Sequence, residues 1–367
     1  MRILTVAWSI FSKTDFGFEI ARNGGAIMIS DIAEYIGRKE EAYLFQGAIS
    51  LNDMQYGHIE VLGNSEYVLG ERTKDNIDVW QRSLSKCFEE LLINNSFDYI
   101  LIQGGGEFCF NCVNICRRLK RPFSFVCHLL NKDGIFLVDD LKVIMVGSKM
   151  KEDLLSKCPN IEEKNVSVIL NGVPRNASDE FLDRKKKNKK TLLCSASLQP
   201  RKNQIQLVRA FSLLPEKLKR NIEIVFCGKE SVKYPILKKM KEEIKKNKLD
   251  DNVTYIGTKP RHDMPKVYSG ADGLALPSLH EGLSLAVLEM LQYGKPVIMF
   301  ADNETAYDIN DSKVAILVKE HTDQALARAI VEWYEKDWDE DYIKSYSEYY
   351  TMERVADDYI SYCRKMS

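Results

Sequence analysis

LPSLHEGLSLAVLEMLQYGKPVI, residues 276–298, holds a strand end, a polar loop, a helix and the start of another strand in one passage. Gly273–Leu276 is a short apolar run that stops at Pro277 and Ser278, as a buried strand does. The loop 279–282 leads into apolar positions at helical spacing over 283–293. Gly294, Lys295 and Pro296 then end that helix before a second strand at 296–300. In open parallel α/β sheets, ligands bind beyond the carboxyl ends of the strands. A helix that starts there offers unpaired N–H groups and the positive end of a dipole, which suits phosphate. Gly282 lets the backbone approach such a ligand, and the N–H groups of Leu283 and Ser284 are expected to point at it. Glu281 and Glu289, with seven residues between them, lie before the helix and two turns into it. Both then address one end of an elongated ligand. Taken alone, such a glutamate pair reads as a solvated helix face.

Outward from this passage the same alternation repeats. Strand-like runs stand at 2–8, 42–45, Tyr99–Gln103, Phe123–Cys127 and 143–146, with helical patterns at 26–36 and 80–93. A polar, charged lapse follows at 176–190 (NASDEFLDRKKKNKK). It reads as a solvated linker or edge loop, or as a contact for anionic lipid headgroups. Strands resume at 191–196, 222–226, 253–256, Gly273–Leu276 and 296–300, with helices at 204–214, 234–246, 263–269 and 283–293 and a helical tail at 322–366. This pattern predicts an α/β protein of two units, each a parallel sheet with helices on both faces. A chain of 367 residues also exceeds the usual size of a single core.

Composition narrows the class of function. The formal net charge of −1 gives no global attraction to nucleic acid or to an anionic membrane. No apolar run approaches the roughly 18 to 20 residues of a membrane span. Nine cysteines, an odd number, behind an N-terminus that reads as a buried strand fit a reduced, cytoplasmic setting, peripheral at the inner membrane face at most.

LPSLHEG, the second glutamate and GKPVI together resemble the donor-site signature of retaining glycosyltransferases, specifically glycosyltransferase family 4. That resemblance implies the GT-B fold, two Rossmann-like domains facing across a cleft. Met290 stands where the family usually has alanine. SASLQPRKN, residues 195–203, looks like the family's G-R-L-x-x-x-K-N segment, so Lys202 matches the lysine that neutralises the donor diphosphate. The family's arginine falls at Ser197, and the neighbouring Arg201 is the candidate for the second positive charge. A cation there is chemically apt, because cleaving a sugar–phosphate bond leaves negative charge on the leaving group. Asn171, Gly172 and Val173 resemble the family's N-G-V turn, and VTYIG (253–257) resembles the strand whose following residues, Thr258 and Lys259, meet the nucleobase. VYSGADGLALPS, from Val267, matches the family's Y-x-x-A-D segment.

The resemblance implies an acceptor-side domain over 1–170, with the C-terminal helix 346–367 crossing back to it, and a donor-binding domain over 171–345. Glu281 would contact the donor sugar's hydroxyls and Glu289 the ribose. Gly24 and Gly25, after Asn23, match the glycine pair near the donor phosphates, although a turn requirement explains them equally well. His128, at a strand end, matches a histidine that faces the donor sugar; a hydrogen-bonded structural histidine is the other reading. The implied activity is retaining transfer of a hexose-type sugar from a UDP- or GDP-sugar to a glycan or lipid-linked acceptor, of the kind used in bacterial surface polysaccharides. It needs no cofactor and no metal, and the departing phosphate takes the acceptor's proton. The alternative is a catalytically silent, sugar-nucleotide-binding partner subunit of another transferase.

Other signals lead elsewhere. Cys109, Cys112 and Cys116 share one helical face and read as a core stripe before a metal site. Gly104 and Gly106 begin a G-x-G, but Cys109 breaks the dinucleotide fingerprint. The basic stretch 238–248 reads as a solvated face or a weak membrane contact.

Overall fold

Aliphatic runs too short for helices, set between amphipathic stretches, fold as strands and helices in alternation. A computed structural model describes residues 1–14, 17–20, 24–67, 73–129, 141–175, 189–231 and 233–367. Asn23 and most of the charged lapse at 176–190 lie outside the described residues. The chain divides into two units, Met1–Pro174 with Tyr350–Ser367, and Arg175–Tyr349.

In the second unit six strands pair in parallel. Their order is Val253–Tyr255, Ile222–Cys227, Lys190–Ser195, Gly273–Leu276, Val297–Phe300, Ala315–Val318. Numbered along the chain, that is 3-2-1-4-5-6, the doubly wound order of nucleotide-binding sheets. The strand order reverses between Lys190–Ser195 and Gly273–Leu276, which pair at Leu192 with Gly273 and Leu193 with Leu274. In doubly wound sheets ligands bind at such a reversal, beyond the carboxyl ends of the two strands. The central strands are buried almost end to end, as parallel strands covered on both faces are. Phe211, Phe226, Phe300 and Trp333 anchor the core.

The first unit carries an eight-stranded sheet with its reversal between Arg2–Ala7 and Tyr99–Gln103. Its pairings are parallel except at one edge, where Met54–Tyr56 runs antiparallel to Ile59–Val61. Phe11–Thr14 and Gly17–Ile20 form a separate antiparallel hairpin. These strands of three or four residues hold too few positions to show a period, which is why the sequence pattern misses them. The helical tail breaks into Asp323–Glu335, Glu340–Ser347 and Met352–Met366. The side chains of Thr322 and Asp339 cap the first two, accepting from the N–H groups of Ala325 and Tyr342. Met352–Met366 belongs to the first unit: Val173 donates its N–H to Tyr350 and accepts from Met352, both at 2.9 Å, and Val355, Tyr359 and Cys363 are buried. The N-G-V turn lies in the same unit.

Gly228 ends the strand Ile222–Cys227 with φ at 152° and donates its N–H to the Gly257 carbonyl at 3.0 Å. A Cβ built there would stand 2.0 Å from the Ala196 carbonyl oxygen, backbone that has no easy way to yield. Gly228→Ala is therefore expected to cost about 2–4 kcal/mol of stability through overpacking and backbone strain, read from the urea midpoint. An unchanged midpoint would show that the two loops part freely.

Candidate functional site at the second sheet's reversal

The loop leaving Lys190–Ser195 closes in a single 3-10 turn, Pro200–Lys202, and passes through Asn203 in the left-handed region (φ 57°) into the helix Gln204–Ser212. Asparagine tolerates that conformation better than most residues. The turn sends Lys202 inward, where it is 9% exposed. The loop leaving Gly273–Leu276 places Glu281 opposite, 7% exposed, and Lys202 Nζ donates to Glu281 Oε1. Arg201 Nη1 lies 3.3 Å from Glu281 Oε2 and donates to the His280 carbonyl at 2.9 Å. The Leu279 N–H donates to the Arg201 carbonyl at 2.8 Å, so backbone also ties the loops together. Burial pushes the Lys202 ammonium below the usual lysine range, the Glu281 carboxylate pulls it back up, and Arg201 lowers it again. The sequence-predicted Arg201, Lys202 and Glu281 thus converge on one cluster, in which Lys202 and Glu281 are buried and Arg201 is partly exposed.

Three residues absent from the sequence reading complete it. The Glu281 N–H donates to Glu304 Oε2 at 2.7 Å. The Ser284 N–H donates to Thr305 Oγ1 at 3.1 Å, and that hydroxyl donates to the Gly282 carbonyl at 3.0 Å. Asn303 donates to the Ser278 carbonyl at 2.9 Å and caps the short helix Glu304–Asp308. All three follow Val297–Phe300, the parallel neighbour of Gly273–Leu276, with Leu276 paired to Met299. The rule that ligands meet strand carboxyl ends would have included this loop had the register been known.

Thr305 corrects one expectation. The helix begins at Leu285 with Ser284 as its N-cap, two residues later than predicted, and the Ser284 N–H is taken by Thr305. Gly282 and Leu283 stay in the loop, with Leu283 buried beneath it. Glu289 lies farther along the helix, half-buried, facing the hydroxyl of the buried Tyr268. Tyr268 also donates to Ser195 Oγ at 3.3 Å and stacks on Tyr293. Burial pushes the Tyr268 phenol far up, and Glu289 adds to the shift. Lys259 follows the neighbouring strand Val253–Tyr255, and its N–H bonds the Cys227 sulfur.

In the first unit, Gly24 and Gly25 open the helix Gly24–Gly37, with Gly25 exposed. His128 follows Phe123–Cys127, and its Nε2 lies 2.9 Å from Gln103 Oε1. Burial brings its pKa down to about 4, so the ring is neutral at physiological pH. Cys109, Cys112 and Cys116 are fully buried on Glu107–Arg118, and burial pushes the Cys109 and Cys116 thiols up to about 12. Among the described residues no His, Cys, Asp or Glu group of three or more forms a metal site. No described helix is long and apolar enough to cross a membrane.

Two outcomes follow from these charges. Lys202→Met leaves a buried carboxylate with Arg201 alone and is expected to lose about 3–5 kcal/mol, while the Lys202→Met, Glu281→Leu double variant recovers most of it. Simple additivity in urea unfolding would show that the pair is not coupled. For His128 the folded pKa, about 4, lies below the ordinary 6.5. The unfolded chain then binds the extra proton, so stability falls as pH drops through this window and levels off below it. His128→Gln is expected to flatten that limb of the stability–pH curve; an unchanged slope would place the titration elsewhere.

Residues 176–349 match the model of glycosyl transferases group 1. O-antigen chain mannosyltransferase B of Escherichia coli is 28% identical over 102 residues, 28% of this chain and 26% of that protein. The chain spans half or less of the length of the curated relatives it matches. Sucrose-phosphate synthase from Thermosynechococcus elongatus superposes with a TM-score of 0.76 at 13% identity, covering 100% of this chain and 99% of that one. The Anabaena protein HepE, in complex with UDP, superposes with a TM-score of 0.75 at 15% identity, covering 100% of both chains. The second unit is thus similar to glycosyl transferases group 1 over residues 176–349, and the chain has the fold of these solved structures, the GT-B fold.

Proposed function

We propose that this chain transfers a hexose-type sugar from a nucleoside diphosphate sugar, UDP- or GDP-linked, to a glycan or lipid-linked acceptor with retention of anomeric configuration and without a metal. The observation that carries this reading is the buried Lys202–Glu281 pair with Arg201, set where the strand order reverses. Lys202 and Arg201 take the diphosphate and stabilise the charge that grows on it as the sugar departs. Glu281 accepts hydrogen bonds from the sugar's hydroxyls, and Gly282 and Leu283 bring the loop backbone up to the phosphates. Glu289 and Lys259 hold the nucleoside. In the first unit His128 meets a sugar hydroxyl, Gly24 and Gly25 give backbone room near the phosphates, and the acceptor binds beside them. The match to group 1 and the likeness to an O-antigen chain mannosyltransferase support a role in surface polysaccharide synthesis, which we place in the cytoplasm, peripheral at the inner face of the cell membrane.

The test is a thermal-shift screen against UDP, GDP, ADP and their sugars, followed by transfer and donor-hydrolysis assays with the best binder. A ligand at a hundredfold excess over its Kd stabilises by about 2.7 kcal/mol, a readable shift. Lys202→Ala and Glu281→Ala are each expected to lower turnover about 100- to 1,000-fold. Unchanged transfer by both variants would sink the site assignment. Tight binding with no turnover of any donor would identify a silent sugar-nucleotide-binding partner subunit instead.

A further inference from the structure

The carboxyl end of the first sheet carries a polar row. Gln46, Ala7 and Gln103 stand in register on three adjacent parallel strands. Residues paired across a ladder point to the same face. Both glutamines are buried, at 1% and 0% exposure, with only the Ala7 methyl between them. Their roles differ. Gln46 Oε1 accepts from the Ile10 and Phe11 N–H groups at 2.8 and 2.7 Å, which holds the chain as it leaves the first strand. Gln103 Oε1 instead faces a side chain, His128 Nε2, at 2.9 Å.

The pairing is built into rigid elements. Gln103 is the last residue of Tyr99–Gln103 and pairs with Val126, two residues before His128. Beyond it Gly104 and Gly106 take φ of 104° and 93°, and a Cβ at 104, 105 or 106 would meet nothing within 4 Å among the described residues. The Gln103 amide nitrogen is buried with no partner among the described residues. A buried amide left half-satisfied is a cost that a leucine at the strand end would avoid, so the residue answers a need other than packing.

We propose that Gln103 is a positioning residue for His128, its carbonyl oxygen holding the ring as the Nε2–H tautomer and leaving Nδ1 as an acceptor for a hydroxyl of a bound sugar. The inference rests on the sugar-transfer reading above. Two lone pairs facing each other at 2.9 Å would repel, so the ring nitrogen at the carbonyl bears the proton. The depressed pKa of about 4, whose one cause is burial, agrees with a ring that carries no charge. The neighbouring Cys127 thiol is pushed up to about 11 by burial and brings no charge either. A neutral imidazole protonated at Nε2 accepts from O–H at Nδ1 and gives no electrostatic hold on phosphate. His128 thereby reads hydroxyls and leaves an anion to cationic side chains.

The tautomer is read directly from long-range ¹H–¹⁵N correlations of the histidine rings in the labelled full chain. It has five histidines, and His128 is assigned from the spectrum that His128→Gln loses. The wild type is expected to show the single Nε2–H form from about pH 5 upward, and Gln103→Leu a mixture of tautomers. Gln103→Glu should retain the Nε2–H form and titrate at higher pH, because a carboxylate at that position favours the imidazolium. With an active donor, Gln103→Leu is expected to lower kcat/KM about tenfold, and Gln103→Glu less so. An Nδ1–H ring in the wild type, or an unchanged tautomer in Gln103→Leu, would overturn the proposal. Should Gln103→Leu not fold, the wild-type and Gln103→Glu spectra still decide. Because the tautomer is measured without turnover, a wild type inactive with every donor would refute sugar transfer and leave this result standing.

Discussion

The second unit's site depends on the buried ion pair between Lys202 and Glu281. Each charge is held away from water, and neither would be tolerated there alone. Their attraction therefore sets how closely the loops after Lys190–Ser195 and Gly273–Leu276 approach. Backbone supports the same approach, from the Leu279 N–H to the Arg201 carbonyl. From below, Thr305 fastens the Glu281 loop through Gly282 and Ser284, and Asn303 fastens it through Ser278. The charges select the arrangement, and these neutral hydrogen bonds give it stiffness.

What could be read in advance follows from range. Gly273–Leu276 and Tyr99–Gln103 emerge at the residues their sequence indicates, because a buried parallel strand between turn signals is a local pattern. The α/β alternation follows from many such patterns in series, whereas the GT-B fold comes only with the resemblance of LPSLHEG and GKPVI to a family motif. The helix start at Leu285 was hidden, since it is fixed by the Thr305 hydroxyl on a loop after the next strand. Glu304 was hidden for the same reason: nothing around DNETAYD sets this carboxylate apart until strand register brings it to the Glu281 N–H. Lys202 could be singled out only through a motif, because in isolation a lysine beside an arginine and an asparagine reads as solvated loop.

Gln103 shows the limit most sharply. At the end of YILIQGGG a glutamine reads as the polar close of a strand, with no hint of burial. Its burial comes from the whole first unit, which includes the helix Met352–Met366 from the far end of the chain. On the same sheet, Tyr99 and Tyr362 both meet the Ser124 hydroxyl at 2.8 Å, so the tail helix helps to enclose that face. A polar residue acquires meaning from such a surround, which local pattern does not carry.

The pairing of Lys202 with Glu281 has a consequence for selectivity on the proposed reading. Two cations, Lys202 and Arg201, stand among two carboxylates, Glu281 and Glu304, so the local charge is balanced before any anion arrives. A phosphate that draws Lys202 away leaves Glu281 buried without its main partner, which costs several kcal/mol. Inorganic phosphate offers nothing in return. A diphosphate joined to a sugar brings hydroxyls that donate to Glu281 as the ammonium turns to the phosphate, so both halves of the pair are satisfied again. The carboxylate that weakens a simple anion site thus favours an anion with a sugar attached, a discrimination that Lys202 and Arg201 alone would not supply.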